Sequence, residues 1–246
     1  MHMLMARTAA YVLLVMSVEA AWAQRSPADA VPFDISGFES EATQHLVDAG
    51  IIEGYPDGTA GARRVLTRYE FAQAWGRLLR KMRLQSSPVD WDAIRTDVPA
   101  DHWAREAVEL LAETGILRPS PYRDVSPWHW AADGVANASG IPDESTLWLT
   151  IDGNQPLLRR EFTQVFANTW QLAAEQESLP AARTEGARDL GLPAGTPLAM
   201  AVNETILIGY PNGSFGLERP MVRIEAFFAM ARVLIALEPR RHHKRP

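Results

Sequence analysis

A seventeen-residue pattern that occurs twice constrains the architecture of this chain more than any other feature. Residues 54–70 read GYPDGTAGARRVLTRYE and residues 209–225 read GYPNGSFGLERPMVRIE. The arginine follows the first glycine by fourteen residues in both, from Gly54 to Arg68 and from Gly209 to Arg223. Each copy runs into an apolar helical stretch, Phe71 to Met82 and Ala226 to Leu237. Turn, spacing, Arg-x-Glu and helix recur together, which marks a repeat architecture. A trimmed copy lies between them. Asp152-Gly153 precedes Leu158-Arg159-Arg160-Glu161 and the helical stretch Phe162 to Leu172, with six residues from Gly153 to Arg159 against ten from Gly58 to Arg68.

A second helix is expected ahead of each turn. Residues 38–54 (FESEATQHLVDAGIIEG) and 103–116 (WAREAVELLAETGI) both place an aromatic twelve residues before a Gly-Ile pair. Leu46, Val47 and Ile51 in the first, and Ala107, Val108, Leu110 and Leu111 in the second, describe amphipathic helices with a glycine stop. The lead-in Thr96-Asp97-Val98-Pro99-Ala100-Asp101-His102-Trp103 is half repeated at Arg123-Asp124-Val125-Ser126-Pro127-Trp128-His129-Trp130, so residues 119–150 read as a partial duplication or insertion. Ahead of the last turn only Leu198 to Ile206 offers a helix, and residues 176–197 read as a linker. The units expected are 34–84, 96–175 and 186–238. A single helix–loop–helix cannot bury its own apolar face, so the three must pack together as a mainly α-helical bundle.

Composition agrees with a packed core, at 47% hydrophobic and 22% charged residues. The net charge of −6 argues against a nucleic-acid partner. The basic tail at 239–246 carries four Lys/Arg, so the remainder is near −10 (−6 minus 4). It reads as a solvated end or as a contact to an anionic surface. No cysteine is present, which excludes disulfides and thiolate chemistry. Arg7, the apolar run Thr8 to Val18 and the small residues of Ala21-Trp22-Ala23 have the form of a cleaved secretory signal over residues 1–23, with Gln24 as the mature start. No later stretch is long and apolar enough for an integral membrane span.

The helix start poses a specific question. Thr67-x-x-Glu70 is a capping box, in which threonine and glutamate satisfy each other's backbone N–H groups. Turn geometry explains Pro56, Asp57 and Gly58. Neither explains an arginine in the first helical turn, where a cation opposes the macrodipole by about 0.3–1 kcal/mol. Arg68, Arg159 and Arg223 repeat it. Either each arginine pairs with a carboxylate of a neighbouring unit, or it awaits an anionic ligand at a helix N-terminus. Tyr55 and Tyr210 either cap the core or offer an aromatic face to a sugar ring.

Taken together, GYPDGT…LTRYEFA and Asp97-Val98-Pro99…His102-Trp103-Ala104…Ala107-Val108…Leu111…Gly115-Ile116 resemble the S-layer homology (SLH) domain. The resemblance spans most of residues 34–238. It implies a pseudo-threefold helical bundle of three helix–loop–helix repeats that anchors exported proteins non-covalently to the cell envelope. Grooves between repeats of that family bind cell-wall polysaccharide, often with pyruvate ketals, or peptidoglycan-linked glycan. The family's arginine maps onto Arg68, Arg159 and Arg223, where it would meet a ligand carboxylate. The ligand-binding turns map onto Gly54, Tyr55, Asp57 and Gly58, and onto Gly209, Tyr210, Asn212 and Gly213. This chain departs from the family in three places. Leu158 and Val222 replace the capping threonine, the middle unit lacks the G-Y-P turn, and Ala60 stands where Phe215 keeps the family's phenylalanine.

Two other classes compete with this reading. Neighbouring acids such as Glu39 and Glu41, or Asp143 and Glu144, exist, but no G-x-S-x-G, H-E-x-x-H or P-loop accompanies them, and no motif requires a cofactor or metal. His45, His102 and His129 read as packing or capping residues. The sequence therefore describes a non-catalytic protein of the exported cell envelope. The alternative is a structural or protein-interaction module on the same fold, with the surface-like Pro-Trp-His-Trp segment 127–130 as its contact to an envelope protein partner.

Overall fold

A computed structural model describes residues 36–54, 61–128, 146–177, 187–188, 190–210 and 212–237, with side chains from residue 41 onward. The expected signal, the first-loop residues Tyr55, Asp57 and Gly58, and the basic tail lie outside the described residues. The described chain is mainly helical. Its elements are α1 (Ser36–Asp48), α2 (Arg68–Met82), a 3-10 turn (Trp91–Ala93), β1 (Ile94–Thr96), α3 (Arg105–Glu113), β2 (Leu147–Leu149), α4 (Arg159–Glu177), α5 (Pro197–Asn203) and α6 (Arg223–Leu237). Residues 208–216 belong to a compact unit separate from the one that holds these elements.

Local chemistry accounts for the helix limits. At the start of α2, the Glu70 N–H donates to the Thr67 hydroxyl at 3.2 Å, and the Thr67 N–H donates to Glu70 Oε2 at 3.0 Å. Tyr69, Phe71, Ala72, Trp75, Leu78, Leu79 and Met82 form its buried stripe at helical spacing. Arg80 and Lys81 sit in the last turn, where the macrodipole favours cations. The two expected glycine stops are present, with Gly50 at φ 71° and Gly115 at φ 70°. The poorly marked α5 ends in the same way on Thr205 at φ 56°, a conformation that usually signals glycine. The three ends share one bonding pattern: Ile51 donates to Leu46 O, Ile116 to Leu111 O and Ile206 to Ala201 O.

The sequence units are not the packing units. The leading helix α3 packs on α2, α5 packs on α4, and α1 packs on α6. Each leading helix thus lies on the second helix of the preceding unit, and the first unit closes onto the last. Phe71, Trp75, Phe162 and Trp128 meet in the core, with ring centroids 5.1–6.0 Å apart. Trp75 Nε1 donates to Thr169 Oγ1 at 2.9 Å, which satisfies the indole. Trp128 is fully buried and its Nε1 donates to Ile151 O. This corrects the expectation of a surface aromatic there. A flat apolar ring beside Phe71 is worth more inside, and the Ile151 carbonyl takes its one polar atom.

A small parallel sheet was not anticipated. β1 pairs with β2 in the register Ile94↔Leu147 to Thr96↔Leu149. Ser120 and Trp148 exchange both backbone hydrogen bonds on the other side of β2, at 2.8 and 2.6 Å. Runs of three residues are too short to show strand alternation in a sequence. The sheet ties the two ends of the expected insertion to the lead-in of α3.

Gly76 sets the approach of α2 to α3. A Cβ at this position would lie 3.1 Å from Ala107 Cβ. Gly76→Leu is expected to lower unfolding stability by about 1–3 kcal/mol through overpacking. Urea denaturation reads this as a lower midpoint with an unchanged slope; an unchanged midpoint would rule out this close crossing.

Candidate functional site

The three recurring arginines meet the recurring glutamates in a closed cycle. Arg68 grips Glu161 with two donors, Nη2 to Oε1 at 2.6 Å and Nε to Oε2 at 3.3 Å. Arg159 pairs with Glu225 at 3.3 Å, and Arg223 pairs with Glu70 at 3.0 Å. Each glutamate also accepts a backbone N–H from its own helix cap: Thr67 to Glu70, Leu158 to Glu161 at 2.9 Å, and Val222 to Glu225 at 3.3 Å. The capping half of the motif therefore survives where leucine and valine replace threonine. The glutamate, not the threonine, is the part that links units.

Backbone hydrogen bonds run round the same cycle. The Leu66 N–H donates to Met221 O, Met221 to Leu157 O, and Leu157 to Leu66 O, at 2.8–2.9 Å. One turn further out, Arg68, Arg159 and Arg223 donate their backbone N–H groups to Gln155, Arg219 and Arg64. Arg159 and Arg223 are only 3% and 7% exposed. Of the two accounts open for these arginines, the geometry supplies the first, a carboxylate of the neighbouring unit. The guanidinium fork of Arg68 is committed to Glu161 and, through Nη1, to Ile151 O at 3.2 Å.

The other described residues that the sequence singled out fall in separate units. Gly54 is exposed after α1. Gly209, Tyr210, Asn212 and Gly213 form a self-tied turn in the unit of residues 208–216. There the Tyr210 N–H donates to Ser214 O at 2.7 Å, and the Gly213 N–H donates to Tyr210 O at 2.9 Å. Asn212 Oδ1 accepts from both the N–H and the hydroxyl of Ser214, so its oxygen holds the turn. Gly209 packs under Phe215, with a Cβ position 3.3 Å from the ring.

The three gaps between successive helix starts are alike in backbone and differ in chemistry. The residue after each arginine, namely Tyr69, Arg160 and Ile224, donates its N–H to Gly153, Leu217 and Ala62 respectively. Arg160 pairs with Glu218, and Ile224 is an apolar contact. Among the described residues, the first gap combines aromatics with acids. Tyr69 stacks on His102 at 4.1 Å and meets Trp103 edge-on at 6.0 Å. His102 and Trp103 are 5.2 Å apart. Trp103 is 57% exposed, an unusual position for the largest apolar side chain. Gly153 lies directly against Tyr69, since a Cβ there would come within 2.2 Å of the ring.

Asp97 anchors the other side of this face. β1 and β2 run parallel, so their C-terminal ends emerge together. Asp97 then receives the Ile151 and Asp152 N–H groups, one on each carboxylate oxygen, both at 2.7 Å. Asp152 holds φ at 49° and exposes 59% of its side chain, 3.8 Å from Arg68 Nη1. The residues that sequence reasoning missed are thus Tyr69, Asp97, His102, Trp103, Asp152 and Gly153. Asp97, His102 and Trp103 stood in the lead-in motif, and Asp152-Gly153 stood in the weakest turn. His102 Nδ1 accepts the Ala104 N–H at 3.2 Å, just ahead of α3.

No family model matches the chain. It is similar to the Surface-layer 125 kDa protein of Lysinibacillus sphaericus, at 25% identity over 173 aligned residues. The match covers 55% of this chain and 14% of that protein's length.

Two outcomes follow from the geometry. Glu161 is almost fully buried beneath the Arg68 fork, so Glu161→Ala strips the Nε and Nη2 donors of Arg68 and the Leu158 cap N–H of their acceptor. A loss of about 3–5 kcal/mol is expected, whereas the double replacement Arg68→Met with Glu161→Leu should recover much of it; an additive double mutant would show that the two side chains are not coupled. Burial, then the charges of Asp97 and Asp152, raise the Tyr69 phenol above its usual value of about 10. The folded state holds this proton more tightly than the unfolded chain. Its contribution is complete below about pH 10 and is lost as pH rises through the folded value. Urea midpoints measured from pH 8 to 11 should fall more steeply in the parent than in Tyr69→Phe.

Proposed function

We propose that this chain is a non-catalytic, exported protein that attaches to the cell envelope by binding a cell-wall glycan. The glycan is a wall polysaccharide or a peptidoglycan-linked chain, held at the face around Trp103. The observation that carries this reading is an exposed tryptophan backed by His102 and Tyr69 and bordered by anchored carboxylates. An indole plane packs against the apolar face of a sugar ring, and carboxylate oxygens accept from its hydroxyls. Preorganisation lowers the entropy lost on binding. Here Gly153 and Tyr69 are in contact, and Asp97 holds the 151–152 backbone, so little remains to be ordered.

In this reading Arg68, Arg159 and Arg223 are positioning residues. Arg68 holds the Ile151 carbonyl and Glu161, and through them the loop that carries Asp152. Two further points support an envelope role: the similarity to a surface-layer protein, and the secretory form of residues 1–23. No helix among the described residues is long and apolar enough to cross a membrane, which fits attachment by surface contact.

The test is sedimentation of the full exported chain with purified cell-wall sacculi, before and after chemical removal of the attached glycan. Wild-type protein should co-sediment only while glycan is present. Trp103→Ala should reduce retention at least tenfold, on the order of 1–3 kcal/mol for an aromatic stacking contact, with an unchanged denaturation midpoint. Retention that survives glycan removal would instead place the contact on the peptidoglycan itself and overturn the attached-glycan reading.

A further inference from the structure

Resting on the glycan reading above, we infer that the Trp103 face takes a sugar without an acidic substituent and disfavours an acidic one. Three carboxylates, Glu161, Asp97 and Asp152, stand here with one guanidinium, Arg68. That guanidinium is spent. Its Nε and Nη2 lie on Glu161, its Nη1 on the Ile151 carbonyl, and its side chain is only 12% exposed. A ligand carboxylate would have to displace Glu161, which is 3% exposed and also holds the Leu158 N–H. The exposed charge that a ligand would meet first is Asp152, with 59% of its side chain in solvent.

The lead-in that carries Trp103 adds no uncommitted cation among its described residues. Asp101 is exposed two residues before Trp103. Arg105 is the next cation along the lead-in, but it pairs with Glu109 at 2.6 Å and donates to Val98 O at 2.7 Å. Burial first, and then the charges of Asp97 and Asp152, keep the Tyr69 phenol protonated, so both carboxylates act on this face. A like charge placed beside Asp152 is repelled, while a neutral hydroxyl donates to the same oxygens. Carboxylates that repel an acid therefore serve as acceptors for a polyol.

Sacculi supply the test, because their carboxylates can be neutralised without removing the sugars. The full chain is sedimented with untreated sacculi and with sacculi whose carboxylates have been converted to methylamides by carbodiimide and methylamine. Retention on the amidated sacculi should equal or exceed that on untreated ones, and Trp103→Ala should lose retention on both. Asp152→Asn keeps a residue suited to positive φ and should raise retention on untreated relative to amidated sacculi several-fold. A tenfold fall on amidation would overturn the inference while leaving the Trp103 site in place. Retention indifferent to Trp103→Ala on both materials would remove the site itself, and with it both readings. An untreated-to-amidated ratio that is the same for Asp152→Asn and the parent would show that this carboxylate does not set the selectivity.

Discussion

The Arg–Glu cycle is the interaction on which the rest of this structure depends. An arginine in a first helical turn is locally unfavourable, because it faces the positive end of the helix dipole. That penalty is offset only across a gap, where the glutamate of the next helix start lies within 2.6–3.3 Å. The same glutamate caps its own helix. Each helix start therefore shares its capping glutamate with the arginine of a neighbour. Three such dependencies, closed from Arg223 back to Glu70, make the helix starts mutually conditional. The backbone triangle of Leu66, Leu157 and Met221 follows the same circuit.

Buried ion pairs are weak evidence of net stability, since desolvation opposes the Coulomb gain. Their better-supported effect is specificity. An arginine fork with a fixed partner admits one register between neighbouring helix starts, and a slip would strand both charges. Fixing register this way commits the Arg68 fork to Glu161 and the Ile151 carbonyl, and leaves Arg159 and Arg223 almost fully buried. What remains for recognition is whatever the gaps carry beyond the shared frame. Of the gaps compared, one carries an aromatic trio with acids, one an Arg160–Glu218 pair, and one an apolar isoleucine.

Much of the helical content is visible in the residues themselves. The capping box at Thr67–Glu70, the Gly50 and Gly115 stops and the apolar stripe of α2 are local signals, and each forms the element it announces. α5 is faint because Thr205 takes the left-handed position that glycine marks elsewhere, so no residue type flags its end. β1 and β2 are invisible for another reason. Each is three residues long, and their pairing joins segments some fifty positions apart. The Trp103 face is divided among the lead-in, the α2 start and the trimmed turn, so no single window contains it. Trp103 is exposed in one copy of the lead-in motif, whereas Trp128, which stands where the first copy has Asp101, is buried in the other.

By itself, the sequence determined the repeat, the helix starts and stops, and the presence of arginines that local helix chemistry does not explain. Those properties reside in neighbours three or four residues apart, where capping and turn geometry act. Tertiary structure alone decided what the arginines are for, which leading helix packs on which partner, and which tryptophan meets solvent. The reason is range. A charge chooses its partner through space, and burial depends on what the folded chain brings over a side chain, so neither can be read from a residue's neighbours in sequence.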